Sequence, residues 1–133
     1  MSWLTFYDCV NIASLYTSMC VEAPAHDYSN GSDLRVWSCD GSPEQRFRFH
    51  ADGNIEHLDS GRNMDTHSDL SLWNDDGTST QVWSYAGGFL SSGGQNLELW
   101  ANENGADVVM NDQRAWTDAY INDQMWAITP CAF

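Results

Sequence analysis

The sequence predicts an all-β chain that closes on itself with pseudo-threefold symmetry, and three observations predict it. No stretch sustains apolar residues at i, i+3, i+4 and i+7, so helices find no support. Gly, Asn, Asp and Ser break the chain roughly every eight to twelve residues, with short alternating runs between that read as strands. One phrase also recurs: "SDLRVWSCDGSPEQRF" (32–47) returns as "SDLSLWNDDGTSTQVW" (68–83).

A third, more degenerate copy follows, "ADVVMNDQRAWTDAYINDQMW" (106–126). Asp33, Asp69 and Asp107 anchor the start of each copy, and Gln45, Gln81 and Gln124 the end. The anchors lie twelve residues apart in the first two copies and seventeen in the third, which has gained about five residues around "AWTDAY". A second block precedes each copy: "HLDSGRNMDT" (57–66) matches "FLSSGGQNLEL" (89–99), and "SMCVEA" (18–23) is the first version. Each unit therefore contains an apolar-acid pair, Val21-Glu22, Met64-Asp65 and Leu97-Glu98. The expected organisation is one domain, 1–133, with repeats at roughly 6–50, 51–86 and 87–133. Three units of near-equal length favour a closed domain over an open array, which needs capping units.

Side chains alternate across a strand, which sorts each unit into core and surface. In "DLRVW", Leu34 and Val36 share the core face and Arg35 and Trp37 the other. In "DLSLW", Leu70 and Leu72 face in while Ser71 and Trp73 face out. The third unit turns Val108 and Met110 inward and puts Asn111 where the Trp stands in the others. The closing strands place Gln45, Phe47 and Phe49 on one face, as they do Gln81, Trp83 and Tyr85, and Gln124, Trp126 and Ile128. These aromatics read as core. The Gln beside them needs hydrogen-bond partners if buried, and backbone groups where the chain turns can supply them.

Composition narrows the function classes. Five Arg and no Lys stand against 19 Asp+Glu, a formal charge of −14. Such a surface repels phosphate backbones and anionic membranes, so neither nucleic acid nor a membrane surface is an expected partner. No apolar run approaches the roughly 18 residues of a membrane span, and "MSWLTFYDCV" lacks a leader pattern. Four Cys allow three pairings, none with CxxC spacing. Their even count and the Asn-Gly-Ser sequon at Asn30 favour a secreted, disulfide-bonded protein.

Metal and catalytic motifs are missing from the sequence. His26, His50, His57 and His67 show neither HxH nor HExxH spacing and read as surface residues. "WNDDG" and "SCDG" do not fit an EF-hand and read as Asp-Gly turns. No GxSxG, Cys/His pairing or phosphate-cradling loop occurs, so neither enzyme activity nor a cofactor is expected.

Three Gln-x-aromatic motifs, "QRF", "QVW" and "QMW", each follow an apolar-acid pair and an "LxVW"-like strand. The set resembles the ricin-B-type lectins over about residues 19–128. That resemblance implies a β-trefoil of six two-stranded hairpins, three closing a barrel and three capping it. "CVEA…LRVWSC" resembles the family framework most closely and implies a Cys20–Cys39 bridge, leaving Cys9–Cys131.

The resemblance also implies a shallow sugar site in each unit. There the acid accepts hydrogen bonds from sugar hydroxyls and the outward aromatic stacks on the ring's apolar face. Carried over, the first unit offers Glu22, Arg35, Trp37, Glu44 and Gln45, and the second Asp65, Ser71, Trp73, Thr80 and Gln81. The third offers Glu98, Val109, Asn111, Asp123 and Gln124, with Trp116 or Tyr120 as substitute platforms. This chain departs from the pattern in having Glu44, Thr80 and Asp123 where the family has Asn. Only seven residues separate Asp65 from Trp73, against fourteen between Glu22 and Trp37. The expected function is glycan binding through units one and two, without metal or cofactor and with galactose-type sugars among the ligands. The alternative is a protein-binding trefoil, such as a protease inhibitor, that has lost sugar binding.

Overall fold

The computed structural model describes residues 8–24, 28–67 and 70–131; the anchor Asp69 and His26 lie outside them. Twelve strands occur among the described residues, four in each third of the chain. The first third holds β1 (Val10–Ser14), β2 (Met19–Glu22), β3 (Arg35–Ser38) and β4 (Phe47–Phe49). The second holds β5 (Ile55–His57), β6 (Arg62–Asp65), β7 (Ser71–Trp73) and β8 (Ser84–Ala86). The last holds β9 (Phe89–Ser92), β10 (Gln95–Leu99), β11 (Val108–Asn111) and β12 (Trp126–Pro130).

The second and third strands of each unit form an antiparallel hairpin: β2–β3, β6–β7 and β10–β11. The outer strands join neighbouring units through β4–β5 and β8–β9. The ring closes through β1–β12, in register from Val10 opposite Pro130 to Ser14 opposite Trp126. The first and last strands therefore meet, and Cys9–Cys131 bonds the residues beside them with Cα atoms 5.4 Å apart. Cys20–Cys39 ties the first hairpin, with Cα atoms 5.1 Å apart. Both bridges are the ones the resemblance implied.

The alternation rule places the expected aliphatic residues in the core, but Ser71, read as facing out, is buried, and Met110, read as facing in, is only partly buried. Leu34, Val36, Leu70, Leu72 and Val108 join Val10, Ile12, Phe47, Trp83 and Trp126 in one buried cluster. Each buried indole needs a partner for its N–H. Trp83 Nε1 donates to the carbonyl of Met64 at 3.0 Å and Trp126 Nε1 to that of Leu97 at 2.9 Å. The closing aromatic is thus bonded to the apolar member of its own unit's apolar-acid pair. Phe47 fills the same place in the first unit with no polar atom to satisfy.

Two further expectations need correction. Tyr85, read as core, is 37% exposed, because β8 is exposed along its length; its hydroxyl donates to the Trp126 carbonyl at 2.7 Å. His57, read as a surface residue, is fully buried against Phe47 and Tyr28. Its Nε2 bonds the Glu44 carbonyl and its Nδ1 the Ser60 hydroxyl, both at 2.9 Å, so both ring nitrogens are satisfied without water.

Candidate functional site

The three closing Gln residues are fully buried and hold the same partners in each unit. A short 3₁₀ turn (Pro43–Gln45, Ser79–Gln81 and Ile121–Gln124) delivers each one. Gln45 Nε2 donates to the Ser38 carbonyl at 2.9 Å and to Glu22 Oε1 at 3.0 Å. Gln81 Nε2 donates to the Asn74 carbonyl and to Asp65 Oδ2 at 2.9 Å. Gln124 Nε2 donates to the Asp112 carbonyl at 2.8 Å and to Glu98 Oε1 at 3.0 Å. The amide oxygens accept backbone N–H groups from Asp40, Asp76 and Arg114. Gln45 and Gln81, carried over as sugar contacts, are fully buried. Their amide protons and carbonyl are engaged within the protein, and their work is to hold the acid and close the turn.

Glu22, Asp65 and Glu98 are buried, at 4%, 1% and 2% exposure. A buried carboxylate is costly unless hydrogen-bonded or paired with a cation. The three units meet that requirement differently. In the first, strand pairing sets Glu22 opposite Arg35, whose Nε donates to Glu22 Oε2 at 2.9 Å. The same guanidinium lies over the Trp37 ring, 4.7 Å from its centroid. Trp37 faces outward as expected and is 36% exposed. Glu44 acts here through its backbone: its carbonyl accepts from Ala23 N–H at 3.2 Å and from His57.

In the second unit Asp65 has only neutral donors among the described residues. Oδ1 accepts the His67 backbone N–H at 2.7 Å and Oδ2 the Gln81 amide. Trp73 is half-buried, with the exposed His67 imidazole 6.0 Å from its ring. The short Asp65-to-Trp73 connection thus puts His67 beside the platform. Ser71, opposite Asp65 in the hairpin, is buried.

In the third unit the acid is closed off. Arg114, from the inserted segment, donates Nε to Glu98 Oε1 at 2.9 Å and Nη2 to Oε2 at 3.3 Å. Its Nη1 donates to Asp118 Oδ2 at 3.3 Å, and its guanidinium lies 5.7 Å from the Tyr120 centroid. Asn111 Nδ2 adds a fourth donor to Glu98 at 3.3 Å. The Tyr120 backbone N–H, then Arg114, hold the Asp118 carboxyl below its usual range. Burial, then the charge of Glu98, pushes Asp123 up.

Sequence reading missed the walls of the first two sites, which come from neighbouring units. Asn104 Oδ1 accepts the Ser38 backbone N–H at 2.7 Å, and Gly105 N–H donates to the Val36 carbonyl at 2.8 Å. Asn30 and Gly31 repeat this on the second unit, bonding Asn74 N–H and the Leu72 carbonyl, each at 2.8 Å. Gly31 and Gly105 take φ of 90° and 87°, which a side chain would strain, and border the rings of Trp73 and Trp37. The signal was present in the sequence as "NGSDL" and "NGADV".

A cavity of about 440 Å³ opens between Asp8, Cys9, Pro43, Arg46, Arg48, Leu58 and Asp59, and shares no residue with these sites. Trp37 and Trp73 lie on the outer faces of their hairpins, away from this cavity. No group of three metal-ligating side chains occurs among the described residues.

Known proteins match this chain along most of its length. The ricin-type beta-trefoil lectin domain profile matches residues 8–127. The C-half of the earthworm R-type lectin, solved with GalNAc, superposes with a TM-score of 0.78 at 16% identity, covering 92% of this chain and 98% of that one. The designed threefold-symmetric protein ThreeFoil gives 0.77 at 15% identity, covering 92% and 98%. Serine protease 1 of Rarobacter faecitabidus is 38% identical over 40 residues, which is 30% of this chain and 8% of that protein. The structural likenesses show the fold, a β-trefoil, and the profile shows the family. The chain belongs to the ricin-type β-trefoil lectin family.

Proposed function

We propose that this protein is a lectin that binds glycans reversibly at the outward faces of units one and two, with no catalytic role. One observation carries the reading: a buried carboxylate clamped by a Gln amide recurs in each unit, and in two units a Trp lies two residues along from the residue paired with that acid. Pyranose recognition needs a directed acceptor for hydroxyls and a flat π surface for the C–H face. The earthworm lectin neighbour solved with GalNAc supports galactose-type sugars as the first class to test. Two disulfides support an extracellular setting. Unit three is read as silent, since Arg114 and Asn111 saturate Glu98. Two sites in one chain raise the apparent affinity for multivalent glycans.

A glycan array is the direct test. Trp37→Ala and Trp73→Ala are each expected to weaken binding roughly 3- to 10-fold with the circular dichroism spectrum unchanged. A folded double variant that binds like the parent overturns the site assignment. The exposed Trp116 and Tyr120 of the inserted segment favour a second reading, a protein-binding trefoil. An empty array together with a protein recovered through that segment would select it.

A further inference from the structure

Two arginines reach equivalent acids from different places in the chain, and they differ in what they still have to offer. Arg114 comes from the inserted segment after β11 and holds two carboxylates. Glu98 takes Nε and Nη2, Asp118 takes Nη1, and Tyr120 lies under the guanidinium. Arg35 comes from β3 itself and holds one. Its Nε is on Glu22, its plane lies over Trp37, and its Nη1 and Nη2 make no hydrogen bond among the described residues. Its side chain is 31% exposed and is held in place by Glu22 and the Trp37 ring.

A guanidinium presents five N–H groups in a rigid fork that suits a planar carboxylate. In unit one the buried acid and the indole fix that fork, and no internal residue fills the place that Asp118 fills in unit three. The guanidinium also covers a face of Trp37, so a neutral pyranose stacking there must displace it from its cation–π contact. A sugar bearing a carboxylate can bond the fork without displacing it and pack its ring along the exposed indole edge.

We infer that the unit-one site is selective for acidic saccharides, with Arg35 binding the sugar carboxylate as Arg114 binds Asp118. This rests on reading the repeat sites as glycan sites. The formal charge of −14 opposes any anion at long range, so a general basic patch does not explain such a preference. It has to come from the local fork.

The experiment uses the full chain carrying Trp73→Ala, so that unit one dominates the signal. The probes are uronic-acid oligosaccharides, the same oligosaccharides as methyl esters, and lactose beside its sialylated and sulfated forms. The free acid is expected to bind roughly 10- to 100-fold tighter than its ester, which keeps the ring and loses the charge. Adding Arg35→Gln is expected to erase that ratio. Arg35→Lys, which keeps the charge without the fork, is expected to leave it partial. Circular dichroism checks that each variant folds, and Arg35→Lys carries the test if Arg35→Gln does not.

Equal binding of acid and ester overturns the inference while leaving the lectin reading intact. So does an acid preference that survives Arg35→Gln. Stronger binding of the sulfated than of the sialylated lactose overturns the assignment to carboxylates. Absence of any glycan binding, in the parent as well, sinks the lectin reading and this inference together.

Discussion

Gln45, Gln81 and Gln124 sit where an apolar residue would be the easier choice, and each earns its place by bonding a carboxylate and a turn at once. Their need for partners was legible from the strand pattern; which partners they found was not, because Glu22 lies 23 residues away and Glu98 26. His57 shows the converse. The repeat alignment sets it against Phe89, a buried ring, while its residue type argues for the surface, and the alignment was the better guide. The Glu44 carbonyl can only accept, so Nε2 carries the proton and Nδ1 takes the Ser60 hydroxyl. Burial pushes the ring's pKa below 6.5. Below pH 6.5 the unfolded chain therefore binds a proton that the folded one refuses, and stability falls as the pH drops towards the folded value. The unfolding free energy from urea titrations is expected to decline between pH 7 and 5.5, by at most about 1.4 kcal/mol per pH unit from this group. His57→Gln, though less stable overall, should flatten that slope. An equally steep decline in the variant would assign it elsewhere.

At the scale of elements, what matters is how one unit's loop finishes the next unit's hairpin. Asn104-Gly105 caps the end of β3 beside Trp37, and Asn30-Gly31 does the same beyond β7 beside Trp73. Asn30, the first residue of the Asn-Gly-Ser sequon, accepts through its side-chain oxygen from the Asn74 backbone and from Arg62. Both Asn-Gly pairs precede an anchor Asp in the sequence, so the motif was visible and its target was not. Nothing local says that residue 104 meets residue 38. Asn104→Ala removes the acceptor for both the Ser38 N–H and its hydroxyl. A loss of about 1 kcal/mol is expected in urea denaturation. An unchanged midpoint would mean that water replaces the cap at no cost.

Across the whole molecule, closure decides stability. The Cys9–Cys131 bridge spans 122 residues and Cys20–Cys39 only 19, while β1 and β12 already pair beside the long bridge. Chain entropy ranks the long bridge first, at roughly 4–5 kcal/mol against about 3 for the short one. Paired Cys→Ser variants measured by urea unfolding should reproduce that order. The reverse order would mean that strain or residual structure in the unfolded chain, rather than loop closure, dominates.

Sequence by itself determined the all-β character, the threefold repetition, the core faces of the hairpins and the outward Trp residues, because strand periodicity and turn residues are local properties. It also carried the family resemblance and the disulfide pairing that follows from it. Only the tertiary structure decided the state of each site. A carboxylate's partner depends on which distant segment packs over it. Arg35 reaches Glu22 across a hairpin, Arg114 reaches Glu98 from an insertion, and Asp65 meets only neutral donors among the described residues. Three related phrases in the chain thus become three electrostatically different surfaces, since burial forces each acid to find a donor and the fold alone sets which donor is within reach.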